Sequence, residues 1–200
     1  MNKLKIGFLK ENKKETRCAI VPKLVNKYIQ CGLEVWIESG LGAHLFADED
    51  FINEGAQVFK DDVLDADIYC QVNCPDSDRL EKLNSKVLIS FLNPFTQPKN
   101  IENCLRDRVR ALGVEFIPRS TYAQKMDALS SQASIAGYAA IILASSRLTK
   151  ILPMMVTPSG TLSPAKVFII GAGVAGLQAV ATARRLGAVV YVSDIRPAVK

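Results

Sequence analysis

The chain has one histidine, His44, and its five cysteines (Cys18, Cys31, Cys70, Cys74, Cys104) include no CxxC pair. The usual ligands for a zinc-type cluster are therefore missing. An excess of one charge is missing too. Lys and Arg number 25 against 20 Asp and Glu, for a net charge of +5, and outside "KENKK" and "RDRVR" the basic residues are scattered. That distribution argues against a nucleic-acid partner. Long apolar runs are also lacking. The longest, around "IAGYAAIILA", falls short of the roughly 20 residues that cross a bilayer, so no direct membrane span is expected. The N-terminus "MNKLKIGFLKENKK" enters a short strand with no apolar stretch behind it and does not read as a signal peptide. Reduced, partly buried thiols in a cytoplasmic-type compartment are the expectation.

What is present is ordinary globular material. The 200 residues are 48% hydrophobic and 22% charged, enough for one large domain or two small ones with a real core. Short β-branched or aromatic runs alternate with segments of helical period. "KIGFL" precedes "VPKLVNKYIQCG", "EVWIES" precedes "DEDFINEGAQ", "ADIYCQV" follows, and "KVLISFL" precedes "NIENCLRDRVRALG" and then "VEFIP". This alternation predicts βαβ units and a largely parallel sheet. Pro22 stands where a helix would begin, and Gly32 and Gly113 just past two expected helix ends. From Asp127 to Lys150, "DALSSQASIAGYAAIILASSRLTK" reads as one long helix with small residues on much of its surface, and the following "ILPMMVTPSGTLSPAK" holds three prolines and a glycine. The spacing predicts an N-terminal α/β domain over 1–126, a linking helix and Pro/Gly-rich connection over 127–165, and a second α/β domain beginning at 166 and running to 200.

The second domain opens with a motif. Gly171, Gly173 and Gly176 form GxGxxG between the strand "VFII" and a helix, and Asp194 ends the next strand, "VVYVSD". In a dinucleotide site the first glycine makes the tight turn, the second lets the backbone approach a pyrophosphate, and the third allows the helix to pack on the strand. The helix N-terminus, from Val174, offers unpaired N–H groups to phosphates. An acid about 20 residues on accepts from ribose hydroxyls, and its charge repels a 2′-phosphate. NAD(H) is the expected ligand, with Ile195 and Arg196 beside Asp194; Arg196 would soften the discrimination against NADP(H).

"LSPAKVFIIGAGVAGLQAVATARRLGAVVYVSDIR" and "PRSTYAQKMDALSSQASIAGY", with "GFLKENKKETRCAIVP" at the start, resemble the NAD(H)-binding alpha subunit of proton-translocating NAD(P) transhydrogenase, a family that shares its fold with alanine dehydrogenase. The resemblance implies two Rossmann-like domains with parallel sheets, the second incomplete in this chain. It implies hydride exchange between NAD(H) here and NADP(H) on a partner domain, coupled to proton movement by a membrane partner. A homodimer of alpha subunits, cytoplasmic and peripheral to the inner membrane, goes with it. It further implies that Arg119, Gln124, Asp127 and Ser130 contact the nicotinamide end of the nucleotide, while Tyr122 stands where a second arginine is common. Read from the residues alone, Asp127 suits a helix N-cap, and Gln124 and Ser130 suit a solvated loop and first helical turn. Arg119 follows the expected strand "VEFIP", at the carboxyl end where open α/β sheets place their ligand crevice.

Alanine dehydrogenase makes a different demand, since oxidising an amine carbon moves a proton as well as a hydride and needs an acid/base group. By the resemblance, that family's substrate arginine corresponds to Arg17, but its lysine and histidine correspond to Asn73 and Asn93. Hydride exchange between two nicotinamide rings needs only that they be held close and in register. The sequence thus favours the transhydrogenase component and assigns no catalytic residue. The other alternative is a non-catalytic, truncated fragment, with Lys200 ending the chain after two strands of the nucleotide domain and activity alone not expected.

Overall fold

The computed structural model describes residues 3–12, 14–60 and 65–197. The chain forms two compact units, Met1–Pro118 and Arg119–Lys200. The division falls at Pro118 rather than at 126, so the loop after Pro118 and the long helix belong with the second unit.

The first unit is built on six strands, β1 (Lys5–Phe8), β2 (Glu34–Glu38), β3 (Gln57–Phe59), β4 (Ile68–Asn73), β5 (Val87–Phe91) and β6 (Arg110–Gly113). They lie in the order β3-β2-β1-β4-β5-β6, every pairing parallel. Helices α1 (Val25–Gln30), α2 (Asp48–Asn53), α3 (Ser77–Lys82) and α4 (Lys99–Arg106) make the crossovers. Period-two alternation drives side chains into both faces of the sheet. On β4, Cys70 packs with Ile6, Phe8, Val35, Ile37, Val25 of α1 and Phe51 of α2. Its neighbour Tyr69 enters the opposite cluster with Leu88, Leu80 of α3 and Cys104 of α4.

Two local expectations are corrected. "NIENCLRDRVRALG" does not continue as helix to Gly113: α4 stops at Arg106, Arg108 turns the chain with φ 54°, and the remaining "RALG" pairs with β5 as an edge strand. "VEFIP" is accordingly no strand, because Val114–Phe116 forms a 3-10 turn. Glu115 in that turn accepts from the backbone N–H groups of Leu92 and Asn93 at 2.8 and 2.6 Å. The punctuation after α1 holds, with Gly32 in the left-handed region at φ 85°.

In the second unit, α5 (Ala128–Arg147) is followed by a hairpin, β7 (Met155–Thr157) and β8 (Gly160–Leu162). The Pro/Gly-rich connection was expected to hold no strand of its own. Next come β9 (Lys166–Ile170), α6 (Val174–Arg185) and β10 (Val189–Ser193), a βαβ unit whose two strands pair in parallel. Ile141 of α5, Ala179 and Ala183 of α6, Leu152 and Ala165 form its buried cluster, with Val167 and Ile169 of β9 packed against it. By length and mean hydropathy, 1.3, α5 would pass for a membrane span, which the shorter "IAGYAAIILA" run did not foretell. Within this unit, however, α5 packs along α6. The contact is tightest at Gly137, where an added Cβ would lie 2.1 Å from the Ala175 carbonyl oxygen. Gly137→Ala should therefore lower stability by about 1–3 kcal/mol, the overpacking cost outweighing the ~1 kcal/mol gained in helix propensity. Urea unfolding checks this, and an unchanged or raised midpoint would show that the helices separate freely.

Candidate functional site

The cleft of interest forms where β9 runs into α6. Gly171 makes the turn in the left-handed region, φ 96°, a conformation that L side chains resist. A Cβ on Gly176 would lie 1.8 Å from the Gly171 carbonyl oxygen, so glycine at 176 lets the first turn of α6 sit on the bend. Gly173 is the N-cap and no side chain caps the helix. In front of it the space is open, the nearest atom to an added Cβ being Arg196 Nη2 at 4.0 Å. The free N–H groups of the first turn and the positive end of a 12-residue helix face a concavity able to accept an anion. Arg119, Ser130, Gly171, Gly173, Val174 and Gly176 line that cleft, of about 360 Å³.

Asp194, just past β10, is tied into the same turn. Its Oδ2 accepts from the Ala172 N–H at 2.7 Å, and both oxygens are clasped by Arg196, whose Nε and Nη2 approach at 3.0 and 2.8 Å and whose backbone N–H donates at 2.8 Å. The Arg196 guanidinium, and after it the Ala172 N–H, hold the Asp194 carboxyl well below the usual carboxylate range. The Arg196 side chain is 57% exposed, so solvent screens the pair and ribose hydroxyls can displace it at little cost. Ile195 is 99% exposed and does not line the cleft.

The loop residues divide. Asp127 caps α5, accepting from the Ser130 N–H at 2.9 Å while the Ser130 hydroxyl donates to its Oδ2 at 2.6 Å. These two bonds, more than the Arg119 charge, hold its carboxyl below the usual range. Ser130 and Arg119 reach the cleft wall; Asp127 supports that wall through Ser130. Arg119 follows the 3-10 turn and not a strand end. Gln124 is exposed on a separate 3-10 turn, Ala123–Met126, away from the lining, and Tyr122 is exposed as well. Leu129, Ala133, Ile170 and Ala175 also line the cleft without having been singled out. A signal for one of them was available: Ser130, Ala133 and Gly137 are small residues at helical spacing on one face of α5.

A second cluster of polar residues lies at the carboxyl ends of β1 and β4, in the first unit. Arg17 donates from Nε and Nη2 to the Glu15 carboxylate at 2.9 and 2.7 Å. Asn73 Nδ2 donates to the same carboxylate at 2.9 Å. Glu11 accepts from the Val72 and Asn73 N–H groups at 2.6 and 3.2 Å. Burial pushes the Glu11 carboxyl up. The Arg17 guanidinium holds Glu15 down at about 2, from an ordinary 4.5. Asn93 stands in the left-handed region at φ 51°, its N–H bound to Glu115. Because Glu15 has a lower value folded than unfolded, its stabilising contribution is present in full above about pH 4.5 and is lost as pH falls toward about 2. The urea midpoint should fall across that window more steeply in the native chain than in Glu15→Gln, and parallel curves would dissociate Glu15 from acid stability.

Residues 7–136 match the alanine dehydrogenase/PNT N-terminal domain, and residues 140–200 match the C-terminal domain of the same description. The chain is 39% identical to the first part of the split NAD(P) transhydrogenase subunit alpha of Rickettsia prowazekii, over 98% of this chain and 54% of that protein. The crystal structure of transhydrogenase from Sinorhizobium meliloti superposes with a TM-score of 0.94 at 39% identity, covering 98% of this chain and 60% of the other. A solved L-alanine dehydrogenase superposes with a TM-score of 0.82 at 27% identity, covering 96% and 55%. The chain thus spans about half the length of the curated transhydrogenase alpha relatives it matches.

Proposed function

The chain belongs to the alanine dehydrogenase/PNT family, and from that premise we propose that it is the NAD(H)-binding part of a proton-translocating NAD(P) transhydrogenase. The observation that carries this reading is the uncapped start of α6 facing a cleft, with the Asp194 carboxylate hydrogen-bonded to the same glycine turn. The donor set fits a dinucleotide. The N–H groups after Gly173 receive the pyrophosphate, and the open space in front of that glycine lets the phosphates come close. Asp194 turns from Arg196 to the ribose hydroxyls and disfavours a 2′-phosphate, while Arg119 and Ser130 border the route toward the nicotinamide. Gln124, Asp127, Ile195 and Arg196 complete the proposed contact set, Asp127 by positioning Ser130. Bound NAD(H) supplies the hydride; the chain's residues orient the nucleotide and perform no proton transfer.

The alternative activity, alanine oxidation, is disfavoured by the first unit. Arg17 is engaged by Glu15, and asparagines occupy 73 and 93, where the resemblance to alanine dehydrogenase puts its lysine and histidine. The proposed partners are an NADP(H)-binding domain, a membrane subunit and a second alpha subunit, which would place the protein on the cytoplasmic side of the inner membrane. The whole reaction is proposed for that assembly, and the 200-residue chain by itself for nucleotide binding only.

Titrating the chain with NADH and following nucleotide fluorescence should give saturable binding, weaker for NADPH. Asp194→Ala should weaken NADH binding by about tenfold or more, as expected for lost hydrogen bonds to a charged acceptor. Absence of saturable binding at millimolar NADH would overturn the assignment of the nucleotide site to this chain, and an unchanged affinity in the variant would place the ribose elsewhere. Alanine-dependent reduction of NAD by the chain would favour the rival activity.

A further inference from the structure

Two of the five cysteines meet inside the first unit. Cys74 follows directly on β4, its N–H donating to the Phe91 carbonyl of β5 at 3.0 Å. Cys104 lies on α4 and is only 4% exposed. Both pack in the apolar cluster that contains Leu80, Leu83 and Leu88, and there the two thiols hydrogen-bond to each other. Neither belongs to a disulfide. The pair is not sealed from solvent. Cys74 lines a polar cleft of about 620 Å³ at the carboxyl ends of β1 and β4, as does Asn100, one helical turn before Cys104. The other thiols stand apart: Cys70 points into the opposite face of the sheet, Cys18 packs on that same opposite cluster, and Cys31 is exposed.

We propose that Cys74 and Cys104 form a peroxide-sensitive dithiol that closes to a reversible disulfide. Thiols already in hydrogen-bond contact need only rotamer adjustment and a small approach to reach the about 2.05 Å of an S–S bond. Hydrogen peroxide is small enough to enter the cleft. The shared hydrogen bond holds the Cys104 thiol below its ordinary range and Cys74 above it, so the Cys104 sulfur attacks the peroxide. An S–O bond forms, the O–O bond breaks, and hydroxide leaves, taking up the proton that Cys104 released to become water. The Cys74 sulfur then attacks the resulting sulfenic acid; the S–S bond forms as the S–O bond breaks, and the hydroxyl departs with the Cys74 proton as a second water. Two thiols are oxidised and one peroxide is reduced to two waters. The disulfide ties α4 to the end of β4 and so fixes one wall of the cleft.

The test uses the folded 200-residue chain, treated with hydrogen peroxide, alkylated and mapped by mass spectrometry. The expected product has lost two hydrogens, carries a Cys74–Cys104 linked peptide, and regains both alkylation sites after dithiothreitol. Cys74→Ser, at a half-buried strand end, should abolish the link, and Cys31→Ser should leave it intact. Retention of alkylatable Cys74 and Cys104 after peroxide treatment, or a link through any other cysteine, would overturn the proposal.

Discussion

The nucleotide-facing half of the molecule depends on one steric fact. The first turn of α6 rests on the Gly171 carbonyl so closely that position 176 has no room for a Cβ. That contact aims the uncapped N–H groups of α6 at the cleft. It also brings the turn within reach of Asp194, whose bond to the Ala172 N–H joins the end of β10 to the bend after β9. The same tolerance for small residues recurs one helix away, where Gly137 lets α5 lie on the Ala175 backbone. That packing brings Ser130 to the cleft wall, opposite the glycine turn. Glycine is required at these points by backbone crowding, and the cleft is the space this crowding leaves.

The first unit solves a different problem. A parallel sheet exposes backbone N–H groups where its strands end, and buried ones must find acceptors. Glu11 serves Val72 and Asn73 after β4, and Glu115 serves Leu92 and Asn93 after β5. Glu15 is the acceptor for Arg17 and the Asn73 amide. Carboxylates that satisfy a scaffold in this way are poorly placed to exchange protons with a substrate. In alanine dehydrogenase, by the resemblance, this end of the sheet carries catalytic groups; here its polar residues bind one another, which accords with a chemistry that leaves proton transfer out.

Much of the architecture was legible because it rests on periodicity. Alternation on "EVWIE" and "DIYCQV" identified strands buried on both faces, and GxGxxG followed by an acid marked the βαβ unit at the C-terminal end. The errors have a common origin. "RVRALG" carries helical spacing, yet an unpaired edge on β5 recruits "RALG" as a strand, and the left-handed Arg108 breaks the helix before it. Pairing partners distant in sequence overrode local pattern. The hairpin in the Pro/Gly-rich connection escaped notice for the same reason, its strands being three residues each and stabilised by one another.

The sequence by itself determined the class of fold, the glycine turn and its acid, and the N-cap at Asp127, because each depends on residues close along the chain and on backbone geometry that few residue types permit. Tertiary structure alone decided which candidates share a cleft. It set Arg119 and Ser130 against the glycine turn, left Gln124 and Ile195 in solvent, clasped Asp194 with Arg196, and closed Arg17 onto Glu15. It also brought Cys74 and Cys104 together across 30 positions of sequence. These outcomes depend on how strands and helices dock, and docking is set by side-chain volumes summed over whole elements, which no short stretch of sequence carries.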